Sequence, residues 1–130
     1  MKRSEFTQSI METIPVGKVM NNPGGGTSTI VAYSQNNITY LRGHSKIVVS
    51  FDDLYDAFQA FCGDVVDSSM LKHYKPRVFD SRRGGHSCNS TFFFMVLQEL
   101  GIIKSIKGKG RRGDPFRIYI PNHSESTPHL

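Results

Sequence analysis

From residue 27 onward the chain alternates between apolar and polar positions. Ile38, Tyr40 and Arg42 interleave with Thr39 and Leu41, and Ile47, Val49 and Phe51 interleave with Lys46, Val48 and Ser50. A period of two predicts half-buried antiparallel strands. Three are expected, over 29–34, 37–42 and 45–51, joined through Gln35-Asn36-Asn37 and Gly43-His44. Asparagine tolerates the left-handed backbone of tight turns, and His44 is expected to be an exposed turn residue. The period then lengthens to that of a helix. Phe51, Leu54, Tyr55, Phe58, Phe61 and Cys62 fall on one face, Ser50 stands at the cap position, and Asp52, Asp53 and Asp56 place negative charge in the first turns. Gly63 is expected to end this helix, whose acidic outer face marks it as scaffold. Asp67-Ser68-Ser69 predicts the start of a second helix over 70–75, which must stop near Pro76. Met70, Leu71 and Tyr74 are expected to point inward, and Lys72 and Lys75 outward. Residues 77–87 read as a loop pinned by Val78 and Phe79, with Arg82, Arg83, Gly84 and Gly85 forming a basic, bendable approach to a third helix.

The next stretch, CNSTFFFMVLQELGII over 88–103 and KSIKGKGRRGDPFRIYI over 104–120, organises the chain. Its first half predicts a helix, polar at the start and apolar through the body, with Leu97, Leu100 and Ile103 in steps of three and Gly101 at the stop. The second half predicts two short strands, carrying Ile102 and Ile106 on one side and Phe116, Ile118 and Ile120 on the other. Gly108, Gly110 and Gly113 supply the turn between them. A helix ending in Leu-Gly-Ile-Ile and followed by a basic hairpin resembles the winged helix-turn-helix. The resemblance covers the last half of the chain. It implies that the helix is a recognition helix and the hairpin a wing. The expected fold is therefore α+β in one domain over 1–130. Its parts are a leader and glycine-rich loop over 1–26, an N-terminal antiparallel β-meander over 27–50, a three-helix winged-helix core with a C-terminal hairpin wing over 51–120, and a tail over 121–130.

The N-terminal stretch carries less information. Phe6, Ile10 and Met11 can share a helical face, but Pro15 and Gly17 interrupt it, and a frayed leader is expected. In Asn21-Asn22-Pro23-Gly24-Gly25-Gly26-Thr27-Ser28, three consecutive glycines leave backbone amides unshielded. Such a loop can hold a phosphate, but it lacks the Gly-Lys-[Ser/Thr] ending of a nucleotide-binding loop. A flexible linker into the first strand is the expectation, with a DNA-backbone contact as the alternative. Together with the later Gly84-Gly85-His86-Ser87-Cys88-Asn89, this loop resembles small proteins of bacterial mobile elements, a likeness that implies no activity.

Charge sharpens the picture. The 130 residues carry a net +5, and the excess is confined. Residues 72–117 hold eleven basic and three acidic side chains, a net of +8, while residues 1–71 hold five basic and seven acidic. A polyanion is the natural partner of such a half-molecule. Duplex DNA is the expected one. Asn89, Ser90 and Thr91 would read bases from the major groove, and Arg82, Arg83, Lys107, Lys109, Arg111 and Arg112 would contact phosphates or the minor groove, with Lys72 and Lys75 facing out beside them. Beyond Thr91 the helix is largely apolar, which favours binding dominated by the DNA backbone. An acidic protein, held by the same surface in an adaptor role, is the alternative partner.

Other chemistry finds less support. His86, Cys88 and Asn89 are residue types of nucleophilic catalysis, but a capping segment explains them too, with Ser87 or Asn89 capping the helix and Cys88 packed. Cys62, His73, His86 and Cys88 lack the paired spacing of a zinc site, and the two cysteines form no disulfide framework. The expectation is a non-enzymatic protein without metal or cofactor. With no apolar run of membrane-spanning length and no apolar signal segment at the start, a cytosolic, membrane-free protein is expected.

Overall fold

The structure, a computed structural model, describes residues 1–122. The elements run α1 (Arg3–Thr13), β1 (Val19–Asn21), β2 (Thr27–Tyr33), β3 (Asn37–Arg42), β4 (Ser45–Ser50), α2 (Phe51–Ala60), β5 (Val65–Asp67), α3 (Ser68–Tyr74), α4 (Pro76–Phe79), a 3-10 turn (Ser81–Arg83), α5 (Cys88–Glu99) and β6 (Arg117–Tyr119). The fold is α+β: an antiparallel meander in the order β1-β2-β3-β4, then helices and a two-stranded antiparallel sheet of β5 and β6. No helix among the described residues is long and apolar enough to cross a membrane. The expected tail lies, from residue 123 on, outside the described residues.

The meander follows the alternation. Ile38 faces Val49 and Tyr40 faces Ile47 across β3 and β4, and all four are buried on one face of the sheet. The sheet has a fourth strand. The glycine loop is no linker but the turn of a β1–β2 hairpin, closed by the Asn22 N–H on the Gly26 carbonyl at 2.9 Å and the Gly25 N–H on the Asn22 carbonyl at 3.0 Å. Asn22 is buried, and its side-chain oxygen accepts from the Ser28 hydroxyl at 2.7 Å. This polar bond explains why the turn is asparagine-led: the buried hydroxyl needs an acceptor.

The leader is not frayed. Phe6, Ile10 and Ile14 are spaced by four, all fully buried, and Phe6 stacks on Phe58 of α2 at 5.4 Å between ring centroids. Three buried apolar side chains outweigh the break signals at Pro15 and Gly17, which act just beyond the helix end; Met11 points to solvent.

α2 begins as its cap predicts, the Ser50 hydroxyl accepting the Asp53 N–H at 3.0 Å. It stops at Ala60, and Gly63 serves the next segment, its N–H donating to the Ile120 carbonyl at 2.7 Å. α3 is capped by Asp67, which accepts from the Met70 N–H at 2.9 Å. Only Leu71 of α3 is buried; Met70 and Tyr74 are exposed, because a helix of seven residues presents a single narrow face to the core. Pro76 opens a separate one-turn helix that buries Phe79.

α5 is the centre of the molecule. Residues 92–97 are all buried, so the helix has no solvent face through its body. Tyr40 of the meander lies flat on Phe92, ring centroids 3.8 Å apart, while Phe79 meets Phe93 edge-on from α4 at 6.4 Å. The helix ends at a left-handed Gly101, with its N–H on the Gln98 carbonyl and the Ile102 N–H on the Leu97 carbonyl, each at 3.0 Å. This double closure satisfies the last carbonyls. The start differs from expectation: neither Ser87 nor Asn89 caps α5 through a side chain, since Ser87 donates to Ser81 and Asn89 is engaged elsewhere.

The expected two-stranded wing is also rearranged. β6 pairs with β5, bringing Val66 opposite Ile118 in the core. The upstream arm meets β6 at one bridge, Lys107 and Arg117, which exchange both backbone hydrogen bonds at 2.9 Å. Ile102 and Ile106 pack against the core from outside any strand.

Candidate nucleic-acid interface

Three segments deliver the basic side chains. Lys72 projects from α3. Arg82 and Arg83 sit on the 3-10 turn, whose cap is the Asp80 carboxylate accepting the Arg82 N–H at 3.0 Å; Gly84 follows in the left-handed conformation. Lys107, Lys109, Arg111 and Arg112 belong to the loop before β6. The Asp114 carbonyl gathers its tip, accepting N–H groups of Lys109, Gly110 and Arg111 at 3.2, 2.9 and 3.3 Å. Meanwhile the Asp114 carboxylate is held by Arg117 at 2.8 Å. The acid nearest the tip in sequence therefore neutralises β6 and leaves the four cations of the tip uncompensated. None of Lys72, Arg82, Arg83, Lys107, Lys109, Arg111 or Arg112 forms an ion pair among the described residues.

Two clefts show how these segments lie. One, of about 360 Å³, is lined by Ser69, Lys72, His73, Pro76, Asp80 and Arg83. The other, of about 270 Å³, lies between α3, the start of α5 and the tip; Lys72, Ser90, Thr91, Arg111 and Arg112 are among its walls. Lys72 borders both. Arg83 of the 3-10 turn, Lys72 of α3 and Arg111 and Arg112 of the tip therefore lie along one surface, although they are up to forty residues apart, from Lys72 to Arg112; Arg82 and Lys109 line neither cleft. Lys107 is in neither of these clefts but in a separate groove with Lys104, Ser105 and Tyr119.

Four expected contacts are placed otherwise. Lys75 is not free: its ammonium is held by Asp53 and Asp56 of α2, both at 2.9 Å. Burial lowers its pKa, but the hydrogen bonds it donates to Asp56 and Asp53 outweigh this and the net shift is upward. Asn89 is 2% exposed; it accepts from the Tyr40 hydroxyl at 2.7 Å and donates to the Val78 carbonyl at 3.0 Å. Ser90 is 1% exposed, and its hydroxyl has no partner among the described residues. Thr91 is half-buried, donating to the Cys88 carbonyl and accepting from Arg42, each at 3.2 Å. For Asn89 and Thr91 the physical reason is the meander: β3 meets the first turn of α5 through Tyr40 and Arg42, which engage these two side chains, whereas Ser90 is buried in the wall of the cleft toward α3 and the tip.

The remaining chemistry is dispersed. The Cys88 sulfur lies 3.6 Å from the Tyr40 hydroxyl, whose pKa is raised, first by burial and then by Cys88. His86 borders a different cleft, with Arg77, Gly85 and Asn89. No group of three or more His, Cys, Asp or Glu side chains among the described residues could hold a metal ion. The exposed Arg77 belongs to the same basic run of the sequence but borders this cleft, beside Asp53 and His86, and lines neither of the two clefts that join the basic segments.

No protein-family model, curated protein or solved structure matches this chain.

Proposed function

We propose that this chain binds duplex DNA through the basic surface of α3, the 3-10 turn and the tip, as a variant of the winged helix-turn-helix. The observation that carries this reading is the continuity of unpaired cations from Arg83 through Lys72 to Arg111 and Arg112. The order of elements supports the family: α2, β5, α3, α5, a basic loop and β6, with β5 completing the sheet at the base of the loop. The departure from the family pattern is equally specific. Asn89 and Ser90 are covered, so the start of α5 does not reach base edges, and contact falls to phosphates. Such binding is driven by counterion release. Its affinity falls linearly with salt on logarithmic axes, by about 0.9 of a unit per phosphate neutralised.

The test is a titration of fluorescent duplexes of several sequences at a series of salt concentrations. The expected result is a steep salt slope and little discrimination between sequences. Changing Arg111 and Arg112 together to alanine weakens binding to every duplex and lowers the slope by up to about one unit per lost contact. The melting temperature is unchanged, since exposed charges contribute little to folding. Absence of binding at low salt overturns the reading and leaves an acidic protein as the partner of the same surface.

A further inference from the structure

The cleft between α3, the start of α5 and the tip has features that a merely basic surface does not need. Its wall includes Ser68 and Lys72 of α3, Ser87, Ser90 and Thr91 at the start of α5, and Arg111 and Arg112 of the tip. No carboxylate borders it. Ser90 is almost wholly buried, yet its hydroxyl, alone among the buried side-chain oxygens and nitrogens of the described residues, lacks a hydrogen-bond partner. An unsatisfied buried hydroxyl is costly, and an alanine would fill the same space without that cost. Its presence in a wall shared with three cations points to a ligand that accepts hydrogen bonds and carries negative charge.

The size of the cleft narrows the class. At about 270 Å³ it has room for a tetrahedral oxyanion together with its substituent, but not for a length of duplex. A continuous DNA strand runs past such a cleft, whereas the end of a strand can enter it. One ammonium and two guanidinium groups match a dianion better than the single charge of a phosphodiester, and guanidinium forks suit phosphate geometry. We infer that this cleft is a site for a phosphate monoester, supplied by the phosphorylated terminus of a DNA strand. Lys72, Arg111 and Arg112 carry the charge and the Ser90 hydroxyl donates into the floor. This inference rests on the DNA-binding reading for the source of the phosphate, but not for the site itself.

The two parts separate experimentally. Inorganic phosphate is titrated against the full chain and its melting temperature followed, with chloride at equal ionic strength as the control. Wild type is expected to gain several degrees, and Ser90→Ala and Lys72→Ala to lose most of that gain while folding normally. In parallel, duplexes carrying 5′-phosphates, 3′-phosphates or hydroxyl ends are compared. One phosphorylated end is expected to bind about tenfold tighter, the effect of a hydrogen bond to a charged group, and Ser90→Ala to abolish that preference. A phosphate response equal in all proteins, or absent, overturns the site and leaves backbone binding standing. A phosphate response lost in the variants, with duplex ends bound alike, overturns the strand terminus as the source. Failure of every duplex to bind overturns both the terminus and the DNA reading, while the phosphate titration still decides the site.

Discussion

At the scale of single residues, Asn89 and Ser90 are adjacent and similar in chemistry, and they differ in what surrounds them. Asn89 has partners on both ends of its amide: Tyr40 donates to it from the sheet, and it donates to Val78 in α4. It thereby ties three elements together. Burial holds the Tyr40 phenol far from ionisation, so the donor is permanent in the ordinary pH range. Asn89→Ala leaves the Tyr40 hydroxyl and the Val78 carbonyl without this partner and is expected to destabilise the fold by about 1–3 kcal/mol. Urea unfolding measures that loss. At temperatures where the variant remains folded, its affinity for duplex DNA should match wild type, which separates a structural asparagine from one that reads adenine.

At the scale of elements, the tip is shaped by two close approaches. Gly110 lies in the left-handed region at φ +73°, and a Cβ there would collide with the Phe116 ring; at Gly108 it would collide with the Pro115 carbonyl oxygen. The tip is therefore folded back over Phe116, whose ring also stands where a Cβ at Gly24 in the β1–β2 turn would touch it. A loop built only to join strands needs neither the fold-back nor four cations. Gly110→Ala is expected to cost at least about 1–2 kcal/mol from the left-handed backbone alone, with displacement of Phe116 in addition. Because Arg111 and Arg112 move with the tip, DNA affinity should fall as well, although no charge is removed. Chemical denaturation and the duplex titration, run on the same variant, check both effects; retention of full affinity would mean that tip shape does not matter for binding.

At the scale of the whole molecule, the acidic face of α2 is a tether. Asp52 and Asp56 bind Arg3 of α1 at 3.0 and 3.1 Å, while Asp53 and Asp56 bind Lys75 at the end of α3. The hydrogen bond from Lys75 is the main cause that holds the Asp56 carboxyl below its ordinary value of 3.8, with Arg3 assisting against burial. A lowered carboxyl pKa contributes stability that is full above 3.8 and is lost as pH falls through the lowered value. Asp56→Asn should therefore be less stable than wild type near neutrality, on the order of 1 kcal/mol for partly exposed pairs. The two proteins should converge as pH falls below 3.8 and through the lowered value. Melting curves across that range test it, and a constant gap at every pH would show that the carboxylate charge is not what Lys75 and Arg3 hold.

The pattern of residues was sufficient wherever structure is set by neighbours along the chain. The two-residue period over 37–50 became β3 and β4 with Ile38, Tyr40, Ile47 and Val49 inward, and the Ser50 and Asp67 caps formed the predicted bonds, because alternation and capping are local chemistry. The glycine stop at Gly101 and the basic excess after residue 71 were legible for the same reason. A signal of the centrality of α5 was also present, since the apolar run 92–97 leaves no polar face for a groove. What the order of residues could not express was which surface covers which. Tyr40 lying on Phe92, the paired state of Lys75, the burial of Asn89 and Ser90, and the pairing of β6 along its length with β5, the arm after α5 meeting it at a single bridge, each depend on residues distant along the chain. Such contacts are chosen by the total apolar area and polar satisfaction of the packed chain, not by any segment's own preference. That a basic half-molecule exists is legible in the order of residues alone; the packing of the meander on α5, through Tyr40 and Arg42, decided that Asn89 and Thr91 are engaged inside the fold while Arg82, Arg83, Arg111 and Arg112 stay exposed, because side-chain partners distant along the chain are chosen only when the chain packs.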